Sequence, residues 1–384
     1  MTDRPWQPDS PLPETLSELR AAFPALDEHT YLNWGASGPS PRSVVAAVES
    51  ALEYHEYQAP RQEGMYTAAG EMFETARSTA ADYLGASESD VALIQSTTTG
   101  INRVASAMDW EPGDVVVTTD LEHAAGRLPW ARLRERFGIE VRVLDTDAGV
   151  IDLDALDERL RGADLLCVSA VDWLYGRRHP VEDLVDLAHE HDALALVDAV
   201  QVSGQLPIDV TEWGADFVAG AGHKWLLGPW GAGFLYVSPS VIPDVEPVHV
   251  GYRSVEDADG GSYELHPGAA RFELGTMSPA PYAGFTRAIE TIESVGEATI
   301  QAQIRSLRDQ FVAQVPTDRL RSPADYHSGL VTVRFEDPET VLDRLAEASI
   351  TARALPLPES VRFSLHAVNT AAEIDELVAA LDAW

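Results

Sequence analysis

Between residues 91 and 237 short apolar runs alternate with longer segments of helical periodicity, and no other feature limits the fold as tightly. The runs are Val91–Ile94, Val115–Val117, Val141–Leu144, Leu165–Val168, Leu194–Val197 and Phe234–Val237. Between them, helical patterns cover 99–109, 124–136, 153–161 and 181–191. Strand–helix alternation of this kind builds a largely parallel sheet with helices on both faces. Ligands on such sheets sit beyond the carboxyl ends of the strands. The residues just after each run are therefore the candidates for function.

The flanks complete the outline. Residues 1–12 read as an extended arm, Pro13–Phe23 as a short helix, and Tyr31–Ser40 as a turn punctuated by glycine and proline. Helical patterns come next at 41–57 and 67–85. After about 245 the alternation breaks at a polar, glycine-rich stretch, 251–270. Helical periodicity then covers 279–314. The tail reads as strand 329–335, helix 338–347, strands 350–354 and 361–366, and helix 371–383. The expected division is an arm and helix at 1–30 packing on the small domain, a large domain at 31–250, and a smaller α/β domain at 251–384.

Charge excludes some functions. The chain has 62 acidic and 27 basic residues, a formal net charge of -35. Phosphates would be repelled, which argues against nucleic acid or an anionic membrane as partner. The acidic residues are spread along the chain, and Lys224 is its only lysine. That composition points to adaptation to high salt, where charge repulsion is screened within a few ångströms. Cys167 is the only cysteine, so no intramolecular disulfide or multi-cysteine metal site can form. It lies in the apolar run Asp164–Ala170 and is expected to be buried and inert. The first residues carry no apolar signal region and no apolar run reaches about 18 residues, so a cytoplasmic location is expected.

Arginine supplies every other cationic role, but it does not readily lose its proton and attack a carbonyl. A lysine amine does so once its pKa is lowered, and the product is a Schiff base. Asp198 ends the run Ala193–Asp198; it reads either as a cap for the next helix or as a partner for a protonated ring nitrogen. Gln201 lies three residues on, placed to hydrogen-bond a ring oxygen. Ser96, Thr97, Thr98, Thr99 and Gly100 come directly after the first run and open a helix, as in an anion cradle. His123 comes after the second run, where an imidazole lies over a ring held on the same edge. No metal-ligand pattern is present.

Together these segments resemble the class V aminotransferase and cysteine-desulfurase-like family of fold-type I pyridoxal-phosphate enzymes. The resemblance covers about residues 28–384. It rests on Gly222–Phe234, then on Val197–Gln201 and Arg271–Thr276, with support from Ser96–Asn102, Glu122-His123, Gly176–Pro180 and Arg362–Thr370. It implies a large domain with a mostly parallel seven-stranded sheet sandwiched by helices, and a smaller C-terminal α/β domain. It implies pyridoxal 5'-phosphate held as a Schiff base on Lys224, with Asp198 on the pyridinium nitrogen, Gln201 on the ring oxygen and His123 stacked on the ring. Thr97, Thr98 and His223 would hold the phosphate. Gly275 and Thr276 would reach the phosphate of a neighbouring subunit, implying a homodimer with shared active sites. Arg353 would grip the carboxylate of a small amino acid or keto acid, and Asn33 with the turn through Ala36 would border it.

The sequence departs from the family pattern in three places. Desulfurases carry a nucleophilic cysteine just beyond the carboxylate arginine, but Arg353–Ser360 has none. Ala221 replaces a frequent serine, and Trp173 replaces an asparagine, which brings Asp172 or Trp173 to the pocket wall. The leading expectation is a class V aminotransferase. The alternative is a pyridoxal-phosphate lyase or epimerase, resembling cysteine desulfurases or isopenicillin-N epimerases, without a loop cysteine.

Overall fold

The computed structural model describes residues 4–8, 10–260 and 263–381. The strands are β1 (Thr30–Tyr31), β2 (Val91–Ile94), β3 (Val115–Thr119), β4 (Glu140–Leu144), β5 (Leu165–Ser169), β6 (Leu194–Asp198), β7 (Phe217–Ala221), β8 (Gly233–Val237), β9 (Leu330–Arg334), β10 (Ile350–Thr351), β11 (Arg353–Ala354) and β12 (Ser360–Ser364). The helices are α1 (Leu16–Ala21), α2 (Arg42–Glu53), α3 (Met65–Leu84), α4 (Thr97–Ala107), α5 (Ala124–Phe137), α6 (Leu153–Leu160), α7 (Val181–Glu190), α8 (Val210–Trp213), α9 (Ala280–Val295), α10 (Glu297–Val312), α11 (Pro338–Glu347) and α12 (Ala371–Leu381).

Seven strands form the large sheet in the order β2-β8-β7-β6-β5-β3-β4. Only β8 runs against the rest, pairing antiparallel with both β2 and β7. Alternation along each strand sends successive side chains to opposite faces. Leu166, Val168, Val197 and Val218 join one helix-covered core, while Leu165, Cys167, Leu196 and Phe217 join the other. β7 is absent from the apolar runs because its sequence, Phe-Val-Ala-Gly-Ala, is small-residue-rich. Its place in the sheet explains this composition. A Cβ on Gly220 would collide with the Phe234 ring of β8.

The structure differs from the sequence expectations at several boundaries. The helical stretch 279–314 is two helices, broken at Gly296, whose φ of +91 favours glycine. The strand expected at 350–354 splits between two sheets. β10 pairs parallel with β1, whereas β11 pairs antiparallel with β12 of a three-stranded sheet ordered β11-β12-β9. Part of the N-terminal arm lies away from the small domain: Trp6 packs with Tyr54, Met72 and Ala280. The short helix α1 does meet the C-terminal unit, through Arg20 Nη2 to Glu373 Oε1 at 2.7 Å. Helix α9, grouped with the smaller domain in the sequence, sends Tyr282, Phe285 and Ile289 into a large-sheet core. The small-domain core gathers Phe311, Val331, Val361, Phe363 and Leu377 around the three-stranded sheet. The last residues of the predicted C-terminal helix, 382–383, and residues 1–3 of the arm lie outside the described residues. Among the described residues no helix is long and apolar enough to cross a membrane.

Candidate active site

The carboxyl ends of β3, β5, β6 and β7 converge, because parallel strands all deliver their outgoing loops to one sheet edge. Asp198 is the last residue of β6 and lies beside Ser169, the last residue of β5, in register. Its carboxylate is buried and accepts a hydrogen bond from Val200 N–H at 2.9 Å. Burial raises its pKa, opposed by that N–H and by the Lys224 charge. Lys224 comes three residues after β7 and lines the same pocket. Burial draws its ammonium down to about 8, with Asp198 opposing and Arg362 and Arg353 adding to the shift. The lysine loop is clamped from outside. Gly38 N–H donates to His223 O at 2.8 Å, and a Cβ on Gly38 would lie 2.5 Å from Lys224 O.

At the neighbouring wall, Ser96 caps α4 by accepting from Thr99 N–H at 3.2 Å. The N–H groups of Thr97 and Thr98 open the helix, where no intrahelical acceptor exists. The Thr97 hydroxyl is buried and has no hydrogen-bond partner among the described residues. Both threonines line the pocket with His223 and Asp198. This is a donor-rich cradle at a helix N-terminus, within one pocket of a lysine of lowered pKa and a buried carboxylate. The orphaned hydroxyl and the free N–H groups fit a phosphate; the lysine and carboxylate fit the aldehyde and ring nitrogen of pyridoxal phosphate.

His123 sits at the N-terminus of α5, where Nδ1 accepts from Ala125 N–H at 3.3 Å. Burial and then the cations of Lys224, Arg353 and Arg362 hold its pKa down at about 4, so the ring is neutral at pH 7. The preceding Glu122 is buried between strands. It accepts from Ser169 Oγ at 2.6 Å, Ser169 N–H at 3.1 Å and Thr119 Oγ1 at 3.0 Å. Burial lifts its carboxyl to about 7. Glu122 thus fixes Ser169, the residue beside Asp198.

The opposite wall comes from turns and from the small domain. Buried Asp172 accepts N–H bonds from Leu174, Tyr175 and Arg177 at 2.9, 2.5 and 2.9 Å and so folds the turn that holds Trp173. Gly176 closes that turn at φ +70; a Cβ there would lie 2.6 Å from Leu330 Cβ of β9. The Trp173 ring meets His123 edge-on, with centroids 5.1 Å apart. Arg353 lines the pocket, its Cζ 5.8 Å from the Trp173 centroid. Directly opposite Arg353 in the β11–β12 register is Arg362. Arg362 is fully buried and donates from Nη1 to Trp173 O at 2.9 Å; its Nε and Nη2 have no acceptor among the described residues. Burial, reinforced by Arg353, pulls its pKa down to about 9.

Sequence reasoning places Arg362 only within a motif and assigns it no role. The available signal is an arginine at the centre of an apolar strand, Val361–Phe363, where a charge is buried only with a partner. Of the other candidates, Gln201 lines the pocket but is held on both sides. Its Nε2 donates to Gly35 O at 2.9 Å and its Oε1 accepts from Trp225 Nε1 at 2.7 Å, which leaves one amide hydrogen for a ligand. Asn33 itself is not in the wall; Gly35 and Ala36 of its turn are. Gly275 and Thr276 do not line this pocket, and Thr276 is exposed, with its N–H bonded to Tyr252 Oη at 2.6 Å. Cys167 is buried in β5 as expected, with burial holding its thiol well above the ordinary value.

A mostly parallel sheet, a half-buried lysine beside a buried aspartate and an anion cradle at its carboxyl edge define a fold-type I pyridoxal-phosphate enzyme. The family model for class-V aminotransferases matches residues 30–377, and the chain belongs to that family. It is 34% identical to a probable cysteine desulfurase of Methanothermobacter thermautotrophicus, over 94% of this chain and 96% of that one. It is 31% identical to a probable cysteine desulfurase of Streptomyces coelicolor, over 95% and 96%. Among solved structures, the apo cysteine desulfurase of Thermococcus onnurineus superposes with a TM-score of 0.87 at 27% identity, covering 97% of each chain. The cystine C–S lyase C-DES, in complex with its product cysteine persulfide, superposes at 0.88 and 25% identity, over 94% and 98%. A lysine-to-alanine variant of C-DES carries glycine covalently linked to the pyridoxal-phosphate cofactor. Pyridoxal phosphate is the cofactor of this chain's family. The relatives' names favour the lyase branch over the transamination that the sequence alone puts first.

Proposed function

We propose that this protein is a pyridoxal-phosphate-dependent C–S lyase acting on a sulfur-containing amino acid without a protein-bound persulfide. The observation that carries this reading is the position of sulfur in the chain. The only cysteine is buried in β5, and the β11–β12 turn contains none. Sulfur therefore leaves on the substrate's own departing fragment.

When bound, pyridoxal phosphate supplies an electron-withdrawing ring that stabilises negative charge at the substrate Cα. Thr97, Thr98 and the opening of α4 hold its phosphate, and Asp198 holds its ring nitrogen protonated. Arg362, with two unpaired donors, takes the α-carboxylate as a bidentate guanidinium, a role that the family resemblance gives to Arg353 in the wall of the same pocket. Lys224, its pKa drawn down to about 8, takes the Cα proton as the free amine. The neutral His123 ring and the Trp173 indole exclude water from that face. The Cβ–S bond breaks with its electron pair on sulfur. One sulfur amino acid and one water thus give pyruvate, ammonium and one sulfur fragment, a thiol or sulfide from a thioether or cysteine and a persulfide from a disulfide such as cystine, with no external oxidant or reductant.

We also read the working unit as a homodimer. Support comes from exposed Tyr57, Tyr66, Trp230, Tyr252 and Val248, a set of large apolar side chains left bare on one chain. Thr276 beside Tyr252 would then reach a neighbour's phosphate. The test incubates the holoenzyme with L-cystine and with L-cysteine and measures pyruvate. Pyruvate formed without an amino acceptor supports the lyase. Conversion of the cofactor to its pyridoxamine form, with no pyruvate until an acceptor is added, returns the reading to transamination.

A further inference from the structure

We propose that a small cavity beneath the N-terminal arm binds one monatomic anion, chloride or another halide, and that this ion holds the arm against the large domain. The site lies away from the pocket of Lys224, and it is independent of which reaction that pocket performs.

The arm packs on α2, α3 and α9. Trp6 is buried with Ala51, Met72 and Ala280, and Gln7 Nε2 donates to Glu290 Oε1 at 3.4 Å. Arg287 of α9 is 8% exposed; its Nη2 donates to Ser10 O and its Nη1 lies 3.4 Å from Glu290 Oε2. Glu290 is shared with Arg4, at 3.7 Å, so two cations meet one carboxylate and a positive charge is left over. Arg287 Nε is buried and has no acceptor among the described residues. The preceding side chain, Thr286, is 3% exposed, and its hydroxyl is likewise without a partner. A buried helical threonine ordinarily returns its hydroxyl to the carbonyl one turn earlier, as Thr291 does to Arg287 O at 2.8 Å. Thr286 does not.

Thr286 and Arg287 line one cavity with Trp6, Gln7, Met72 and Thr75. Its volume of about 10 Å³ is room for a single water-sized particle. Three larger cavities all carry carboxylates: Asp198 beside Lys224, then Glu182, Asp183 and Asp325, then Glu14 and Glu18. This wall has a guanidinium and no carboxylate, in a chain with 62 acidic residues. Trp6, Met72 and two alanines make much of the remaining surface, and charges interact more strongly in such a setting than in water. Two unpaired donors beside an excess cation call for an acceptor with negative charge. Phosphate and sulfate exceed the space. Water fits but leaves the charge unanswered. A halide fits, accepts from both donors and supplies the missing charge. Because Trp6 and Gln7 form part of the wall, an ion bound there favours the docked arm by mass action.

The test melts the holoenzyme in potassium chloride, bromide and acetate at one ionic strength, so that general screening is the same in each. The quantity read is the halide-minus-acetate difference, compared among variants, because effects of the salts on the rest of the surface are common to all of them. That difference should be about 2 °C or more larger in the unaltered protein than in Arg287→Met. Thr286→Val keeps the shape, removes one donor and should lose part of it. An arginine with only a structural role would lower all three melting temperatures together and leave the difference in place. Crystals soaked in bromide should show an anomalous peak against Arg287 Nε. Amide hydrogen exchange at Gln7, whose N–H donates to Arg4 O at 3.0 Å, should slow several-fold in chloride relative to acetate. A halide-minus-acetate difference equal in all three proteins overturns the proposal, as does a bromide-soaked crystal with water alone in the cavity. Exchange at Gln7 that ignores the anion overturns the link to the arm.

Discussion

The two halves of the pocket are built by different physics. The cofactor half is a sheet edge. Asp198, Lys224, Thr97 and His123 lie at or within a few residues of the ends of β6, β7, β2 and β3, and the sheet topology brings these strand ends together. The substrate half is a domain seam. Arg353 and Arg362 come from a three-stranded antiparallel sheet, and Trp173 from a large-domain turn docked on it through Ser328 Oγ to Gly176 O at 2.7 Å. The first half largely answers its own charges, with Asp198 beside Lys224 and Glu122 beside Ser169. The second leaves its cations unanswered. The difference separates a site that is preformed for a resident group from one completed by each passing substrate.

The comparison breaks most completely at Lys224. Lys224→Ala should abolish the covalent adduct trapped by borohydride, since the chain has no second lysine to replace it. Mass spectrometry of the reduced protein checks this; an adduct that persists would remove the lysine from the chemistry. Arg362→Met should act oppositely on function and on stability. The substrate KM should rise roughly 10- to 100-fold through loss of a charge-assisted pair. The apo protein should melt higher, because a buried cation with two unpaired donors is gone. A lower melting temperature would mean that Arg362 is compensated in the folded chain.

The charge coupling at the floor gives a pH-dependent test. The free-amine fraction of Lys224 rises with pH, half-complete near 8 in the apo protein. Asp198 is the charge opposing that depression, so Asp198→Asn should move the midpoint further down. The reaction rate with an amine-selective aldehyde against pH checks both statements; an upward move would contradict the pairing. A smaller effect is expected from Glu122→Gln, which removes one of its acceptor oxygens. Burial disfavours the charged carboxyl and lifts it to about 7, so urea denaturation should show the unaltered protein losing stability relative to the amide variant as pH rises from about 5 to 8. The smallest effect per charge is the most widespread. With a net charge of -35, unfolding midpoints should rise as salt screens self-repulsion.

Much of the cofactor half is legible in the sequence. Asp198 closes an apolar run, the hydroxyl-rich Ser96–Thr99 segment opens a helix, and Lys224 stands alone in composition. Each is a local pattern, and the sheet converts local position into shared location. Gln201 is legible too, but its two bonds to Gly35 and Trp225 are not, since both partners are remote in sequence. Arg362 is not, because its meaning depends on burial and on Arg353 across the strand pair. The stretch 350–354 reads as one strand because its residues form a continuous pattern; its division between β10 and β11 depends on which remote strand pairs with each half.

The order of strands and helices, the lysine–aspartate–threonine set and the family were determined by the sequence itself. Periodicity and residue type act over a few positions, and parallel topology has one edge to offer. Tertiary structure alone decided which of the two arginines is enclosed and that Trp173 and not Asp172 lines the pocket. Those outcomes depend on how the two domains pack, and burial and charge compensation are properties of that packing.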